Sequence, residues 1–227
     1  MSDAFDLVII GSGPGGYRAA ARAAQLGMRV ACVDKNELGG TCLNVGCIPS
    51  KALLESSELY HRTSAGLEKH GIQVGEVGFD LSAMMGRKDK IVDTMVKGIG
   101  SLFRQHEVEY VGGSARISAP GSVEVRGAAG ARSLRAARIL LATGSAPVEL
   151  ESLPFDGRYI LSSTDALSLS TVPERMVVIG AGAIGLEMGS VWSRLGADVL
   201  VVEYMDHILP GMDQEMSTQL QRLLKRQ

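Results

Sequence analysis

The sequence predicts an α/β fold built from two successive βαβ units, and three observations carry that prediction. Two apolar strands, 7–10 and 176–179, run straight into the glycine-rich turns Gly11-Ser12-Gly13-Pro14-Gly15-Gly16 and Gly180-Ala181-Gly182-Ala183-Ile184-Gly185. A helical stretch follows each turn, 17–26 and 186–195, and leads to a second strand that ends in a carboxylate, Asp34 or Glu203. The two units also stay in register. Gly11 and Gly180 are 169 positions apart, and so are Gly13 and Gly182, Gly16 and Gly185, Gly27 and Gly196, Val30 and Val199, and Asp34 and Glu203.

Each element of such a unit has a physical reason. In a G-x-G-x-x-G turn the first glycine makes the tight bend and the second lets backbone approach a pyrophosphate. The third lets helix and strand pack closely. The helix N-terminus then faces the phosphates, and the acid at the end of the second strand accepts hydrogen bonds from ribose hydroxyls. A lone match is weak evidence. Two matches in register over strand, helix and acid describe two Rossmann-like units and imply two adenine dinucleotides.

Between the units lies Gly39-Gly40-Thr41-Cys42-Leu43-Asn44-Val45-Gly46-Cys47-Ile48-Pro49-Ser50-Lys51, which holds two of the three cysteines. In a regular helix, rising about 1.5 Å per residue, Cα atoms five positions apart stand too far apart for a disulfide. Pairing of Cys42 and Cys47 therefore requires a distorted helix start, with Gly46 and Pro49 supplying the departure, before regular helix continues to Arg62. Spacing alone leaves a redox dithiol, a plain staple and two free thiols all open. Two dinucleotide units beside a dithiol suggest an electron relay with a flavin as middle carrier, because flavins exchange electrons with both nicotinamide and thiols. The cysteines follow the first acidic strand end closely, so the first unit is assigned to FAD and the second to NAD. Cys32, within the apolar strand 30–33, reads as a buried inert thiol.

Composition excludes other classes. With 227 residues, 45% of them hydrophobic, the chain has material for packed cores, and a net charge of −2 argues against a nucleic-acid or anionic-membrane surface. Residues 1–6 are acidic where a signal peptide would be basic, no apolar run reaches membrane-spanning length, and cysteine is sparse, which together predict a cytoplasmic protein. Four well-spaced Cys/His ligands are missing, so no metal site is expected.

Along the rest of the chain, a helix is expected over 81–107, with Ile91, Met95, Ile99, Leu102 and Phe103 on its apolar face. Met84, Met85 and Met95 read as packing. Strands are expected at 108–111, 114–117, 122–125 and 137–142, with 127–131 as a hairpin turn and Thr143-Gly144-Ser145 as a small-residue turn open to a ligand. Pro147, Pro154 and Pro173 mark a linker-like stretch, with a short helix after Ser163-Thr164-Asp165. A boundary near Pro147 divides the chain into 1–147, for FAD, and an incomplete 148–227, for NAD. Glu187, near the start of a largely apolar helix, needs a cation if buried, and Lys51 is a candidate partner across the domain interface. An exposed lysine and a glutamate that merely compensates the helix dipole remain open alternatives.

The segment Gly39 to Lys51 resembles the active-site segment of the pyridine nucleotide-disulfide oxidoreductases over its whole length, and the similarity extends along essentially the entire chain. Leu43-Asn44 and Ile48-Pro49-Ser50-Lys51 look most like the branch that oxidises dihydrolipoyl groups. The glutathione reductase branch usually has a second lysine in place of Ser50. The stretch from Tyr204 to Asp213 is similar to the same dihydrolipoyl branch. This resemblance implies that Cys42 is the interchange thiol and Cys47 the thiolate facing the flavin, with Lys51 near the flavin and paired with Glu187. It further implies FAD contacts from Gly11, Gly13, Gly16, Asp34, Thr41, Lys51, Ala115, Thr143, Gly144 and Ser145. The NAD site would be lined by Gly180, Gly182, Gly185, Glu187 and Glu203. Implied partners are the lipoyl domains of 2-oxo acid dehydrogenase complexes and, in a full-length parent, a second copy of the chain.

The departures are as specific. The family is about twice this length and dimerises through a C-terminal domain that supplies a His-x-x-x-x-Glu pair. None of His61, His70, His106 or His207 has a glutamate five positions later, and no Gly-Asp dipeptide is present for the family's late FAD contact. The sequence is therefore expected to represent the N-terminal part of such an enzyme, without the C-terminal dimerisation domain and inactive by itself.

Overall fold

The structure is a computed structural model and describes residues 4–128 and 130–226. In the first βαβ unit, β1 (Ala4–Ile10) leads into α1 (Pro14–Gln25) and then β2 (Val30–Asp34). Two helices follow, α2 (Gly40–Val45) and α3 (Cys47–Ala65), then a 3₁₀ turn at Glu68–His70 and the long α4 (Leu81–Gln105). Four strands come next: β3 (Glu109–Gly112), β4 (Ser114–Ala119), β5 (Ser122–Gly127) and β6 (Gly130–Leu141). The remainder comprises α5 (Ser163–Ala166), β7 (Arg175–Ile179), α6 (Ala183–Arg194), β8 (Asp198–Val202) and α7 (Gln214–Leu224).

By compactness the chain forms two units, each made from two segments: Met1–Ile48 with Lys90–Ala146, and Pro49–Asp89 with Pro147–Gln227. The division expected above, at residue 147, is one of cofactor-binding role and stays a proposal.

The first unit contains a six-stranded mixed sheet in the order β3-β2-β1-β6-β5-β4. β3, β2, β1 and β6 run parallel, while β5 pairs antiparallel with β6 and β4 antiparallel with β5. Parallel strands covered on both faces read as unbroken apolar runs, and here Val8, Ile9 and Val30 to Val33 are essentially inaccessible. Each fully buried valine or isoleucine among them contributes about 1.5–3 kcal/mol of burial. One face packs α1 and the second half of α4 through Ala20, Ala23, Ile99 and Phe103. On the other face Phe5, Val8 and Val33 meet Val123, Val125 and Leu134 of the hairpin strands. The sheet thus curls into a half-barrel, closed further by the Arg132–Glu109 ion pair at 2.6 Å.

Among the described residues the second unit has two strands, β7 and β8, paired parallel from Arg175↔Asp198 to Ile179↔Val202. Its core lies on the α6 side, where Trp192, Val191 and Met188 pack with Leu53, Leu167 and Leu195. The Trp192 indole N–H donates to the Ala166 carbonyl at 3.2 Å, and buried Lys88 donates to Leu167 O at 2.9 Å. These bonds dock α5, whose N-terminus is closed by a capping box between Ser162 and Asp165.

Some expectations need correction. On α4, Val92 and Val96 pack with Ile99 and Phe103, while Met95 is 43% exposed and does not serve as packing. Strand β6 runs over 12 residues, not six, because its N-terminal half pairs with β5 while its C-terminal half pairs with β1. The expected hairpin turn at 127–131 includes residue 129, which lies outside the described residues. The short helix begins at Ser163, not after Asp165, because Asp165 belongs to its capping box. Helix α7 is not among the expected elements, although Asp213, Glu215 and an amphipathic pattern mark it; its N-cap is Asp213, whose carboxylate accepts from Met216 N–H at 3.1 Å.

Candidate functional site

The two glycine turns share the same backbone geometry. Gly11 and Gly180 both have left-handed φ, +106° and +100°, and their N–H groups donate to Val33 O at 2.7 Å and to Val202 O at 2.8 Å. A Cβ on Gly16 would strike Gly11 O, and one on Gly185 would strike Gly180 O, so each third glycine brings helix against turn. Strand registers match as well, Leu7↔Val30 against Met176↔Val199. Each acid reaches back to its own turn: Asp34 Oδ2 accepts from Ser12 N–H at 2.6 Å, and Glu203 Oε2 from Ala181 N–H at 2.7 Å. The strand-ending carboxylates therefore brace the glycine turns, a role beyond the ribose contact read from sequence.

Both helices that follow the turns start without a side-chain cap. Gly13 and Gly182 are the N-caps of α1 and α6, and neither helix has an acidic residue in its first turn. The first N–H groups of a helix have no intrahelical acceptor and carry partial positive charge. A Cβ on Gly182 would meet nothing within 4 Å, and one on Gly13 only Gly40 Cα at 3.8 Å, so space is open above both ends. These two helix ends fit an anionic group such as a pyrophosphate. By contrast, α5 and α7 are capped by Ser162 and Asp213.

The cysteine segment folds as two helices broken at Gly46, whose φ of −142° and ψ of −116° lie outside the helical region. That break brings Cys42 and Cys47 to a Cα separation of 4.7 Å, and they form a disulfide. Helix α2 starts against the first glycine turn, since a Cβ on Gly40 would lie 2.5 Å from Gly13 Cα. The Asn44 side chain, between the cysteines, donates to Leu38 O and Gly40 O, both at 3.0 Å. Thr41 Oγ1 donates to Ser145 O at 3.2 Å, tying α2 to the exposed turn Thr143-Gly144-Ser145. Gly11, Gly13, Gly16, Asp34, Thr41, Cys42, Cys47 and the 143–145 turn are thus gathered in one region of the first unit. Ala115 sits on β4 opposite Val125, packed against the half-barrel core, and no bond links it to the glycine turn.

Cys32 is fully buried, and burial, aided by the Asp34 charge, pushes its thiol up to about 12, leaving it inert at neutral pH. Tyr110 is also raised to about 12, chiefly by burial, with Asp34 and Glu37 adding to it; its hydroxyl donates to Asn36 O at 2.7 Å.

Within the second unit, Lys51 Nζ and Glu187 Oε1 form an ion pair at 2.5 Å, and Ser50 Oγ donates to Glu187 Oε2 at 3.0 Å. Their side chains are 59% and 29% exposed, so the pair forms without deep burial of Glu187. Glu203 lies at the end of β8, held below the usual carboxylate range by backbone N–H bonds from Met205 and Ala181. Sequence reasoning gave Ser12 and Tyr110 no role of their own, and used Asn44 and Ser50 only as marks of the family resemblance. Ser12, Ser50 and Tyr110 act through bonds to residues distant in sequence and Asn44 through bonds within its own loop and helix, none of which leaves a periodic signal.

No helix among the described residues is long and apolar enough to cross a membrane. Residues 5–227 match the family model described as pyridine nucleotide-disulphide oxidoreductase. A mitochondrial dihydrolipoyl dehydrogenase of Pisum sativum is 50% identical across all of this chain, and the aligned region is 46% of that protein. Dihydrolipoyl dehydrogenase 3 of Pseudomonas aeruginosa is 52% identical, again over the whole chain and 49% of its own length. A leghemoglobin reductase of Vigna unguiculata is 49% identical over the whole chain and 44% of its own length. The chain thus spans about half the length of these relatives. Matched in sequence from its first strand to its last helix, the chain belongs to the pyridine nucleotide-disulphide oxidoreductase family.

Proposed function

We propose that the protein serves as a dihydrolipoyl dehydrogenase, passing electrons from dihydrolipoyl groups through Cys42–Cys47 and FAD to NAD. The observation that carries this reading is the position of the disulfide: α2, which bears Cys42, starts against Gly13, the open position of the first glycine turn. Relatives about half identical to this chain and bearing that name support the choice of substrate.

In this reading a dihydrolipoyl thiolate attacks Cys42 Sγ, forming a mixed disulfide and releasing Cys47 Sγ as a thiolate. The second substrate thiol, after losing its proton, attacks the substrate sulfur of the mixed disulfide, closing the lipoyl ring and freeing Cys42. The substrate loses two electrons and two protons, and the cysteine pair gains the two electrons. FAD, when bound, supplies a carrier that exchanges electrons with thiols and with nicotinamide. Gly11, Gly13, Gly16, Asp34, Thr41, Ala115 and Thr143 to Ser145 would hold it, and the resemblance adds Lys51. Gly180, Gly182, Gly185, Glu187 and Glu203 would hold NAD, with Glu203 accepting from a free ribose hydroxyl and repelling a 2′-phosphate.

The partners in this reading are lipoyl domains of 2-oxo acid dehydrogenase complexes and a second copy of the full-length chain. Sparse cysteine supports a cytoplasmic setting, while the Pisum sativum relative is named mitochondrial.

Reduction of the FAD-loaded protein tests the proposal. Dihydrolipoamide should make Cys42 and Cys47 open to alkylation within a single turnover while Cys32 stays protected, and glutathione at equal thiol concentration should do so far more slowly. Equal rates with the two thiols would remove the support for a dihydrolipoyl substrate.

A further inference from the structure

The two turns differ in how much of their carboxylate they consume. An ionised carboxylate offers roughly four lone-pair sites. Asp34 spends three of them: Oδ2 accepts both Ser12 N–H at 2.6 Å and Ser12 Oγ–H at 2.8 Å, and Oδ1 accepts Asn36 N–H at 3.0 Å. Glu203 spends two, Oε2 on Ala181 N–H at 2.7 Å and Oε1 on Met205 N–H at 3.0 Å. The difference is one hydroxyl. Ser12, fully buried, occupies the place that Ala181 takes in the second turn. Asn36 is itself fixed by the Tyr110 hydroxyl on its carbonyl at 2.7 Å, so the Oδ1 bond is held from the far side.

We infer that Ser12 is a specificity-determining residue that limits Asp34 to one ribose hydroxyl, received on Oδ1. Glu203, with one site left on each oxygen, takes both vicinal hydroxyls of its ribose. Ser12 acts through Asp34 and is a positioning residue. The inference rests on the proposed reading of the first unit as the FAD site and the second as the NAD site.

Deoxy analogues read this out directly. ADP, 2′-deoxy-ADP and 3′-deoxy-ADP would be used to displace FAD from the loaded protein, and NAD would be compared with its 2′-deoxy and 3′-deoxy adenosine-ribose analogues. In the unaltered protein one deoxy-ADP should displace FAD as well as ADP does and the other about tenfold less well, the scale of one hydrogen bond to a charged group. Both deoxy-NAD analogues should bind about tenfold more weakly than NAD. Ser12→Ala should make both deoxy-ADP analogues weak, and Ala181→Ser should restore one deoxy-NAD analogue to parity with NAD. A purely structural Ser12 would move the melting temperature without moving this pattern. Equal weakening by both deoxy-ADP analogues in the unaltered protein, or an unchanged pattern in Ser12→Ala, overturns the inference while leaving FAD binding intact. Failure of the unaltered protein to hold FAD overturns the reading of the first unit and the inference with it. Should Ser12→Ala not fold, the pattern in the unaltered protein and in Ala181→Ser decides.

Discussion

The first and second βαβ units share turn geometry, strand register and carboxylate brace, yet one is walled in and the other is not. In the first, β1 lies between β2 and β6, and its apolar residues Val8 and Ile9 are inaccessible. In the second, β7 and β8 stand as a pair, with Val177, Ile179 and Leu200 each about 60% exposed. Local geometry is the same in both: the glycine turns share their left-handed φ and the paired strands share their register. Burial is set by what the surrounding chain adds, here the 109–141 strands that complete the half-barrel around β1 and β2.

The largest difference between the units should appear on adding one methyl group to the first glycine of each. Both positions have left-handed φ, which disfavours alanine by about 1–2 kcal/mol. At Gly11 the methyl would also collide with the Ala142 carbonyl at the end of β6, whereas at Gly180 it meets nothing within 4 Å. Backbone collisions of this kind add about 1–3 kcal/mol or more. Gly11→Ala should therefore lower the melting temperature several degrees further than Gly180→Ala. Equal losses would show that the walled-in turn is no more tightly packed than the open one.

Coenzyme discrimination should follow the second acid alone. In a full-length parent that carries the C-terminal domain, Glu203→Ala should improve the kcat/KM ratio for NADP over NAD by about tenfold, the worth of a removed charge repulsion. Asp34→Ala should leave that ratio unchanged, whatever it does to FAD retention. A shifted ratio in Asp34→Ala would break the assignment of one cofactor to each unit.

Much of this was legible in the sequence, because a G-x-G-x-x-G between an apolar strand and an apolar helix leaves its physics on the surface. The repeat fixed the positions of β1, α1, β2, β7, α6 and β8 to within a few residues. The break at Gly46 was legible on condition that Cys42 and Cys47 pair, since they could not meet on an unbroken helix, but Pro49, read as part of the departure, lies within α3. Polar bonds between distant residues were not legible. Ser12 to Asp34, Tyr110 to Asn36 and Ser50 to Glu187 join positions 22, 74 and 137 apart, and nothing local in a serine or tyrosine announces such a partner. Burial was misjudged where it depended on tertiary context, as at Met95.

Smaller effects sharpen the comparison further. Glu187→Gln should cost under about 1 kcal/mol in thermal unfolding, because its pair with Lys51 is substantially exposed. A loss of several kcal/mol would mean that the pair is structural. Acid should loosen the second turn slightly. Glu203 is depressed by backbone N–H bonds, so its bracing is fully present above its ordinary value of 4.5 and is lost as pH falls through the lower folded value. NAD affinity measured from pH 6 downward should decline only below about that ordinary value; a decline that is complete by pH 6 would point to a different group.

The central claim is that each glycine turn cradles its own dinucleotide, and the second glycine of each turn tests it most directly. An added Cβ has room at Gly13, where its nearest neighbour would be 3.8 Å away, and at Gly182, where nothing lies within 4 Å. Both alanine variants should fold, yet both would place a methyl where a pyrophosphate must approach the helix end. Retained flavin after desalting and NAD binding by calorimetry should therefore separate cleanly: Gly13→Ala loses FAD and keeps NAD, while Gly182→Ala keeps FAD and loses NAD. Folded variants that retain both cofactors, or that lose them in the opposite pattern, would contradict the account.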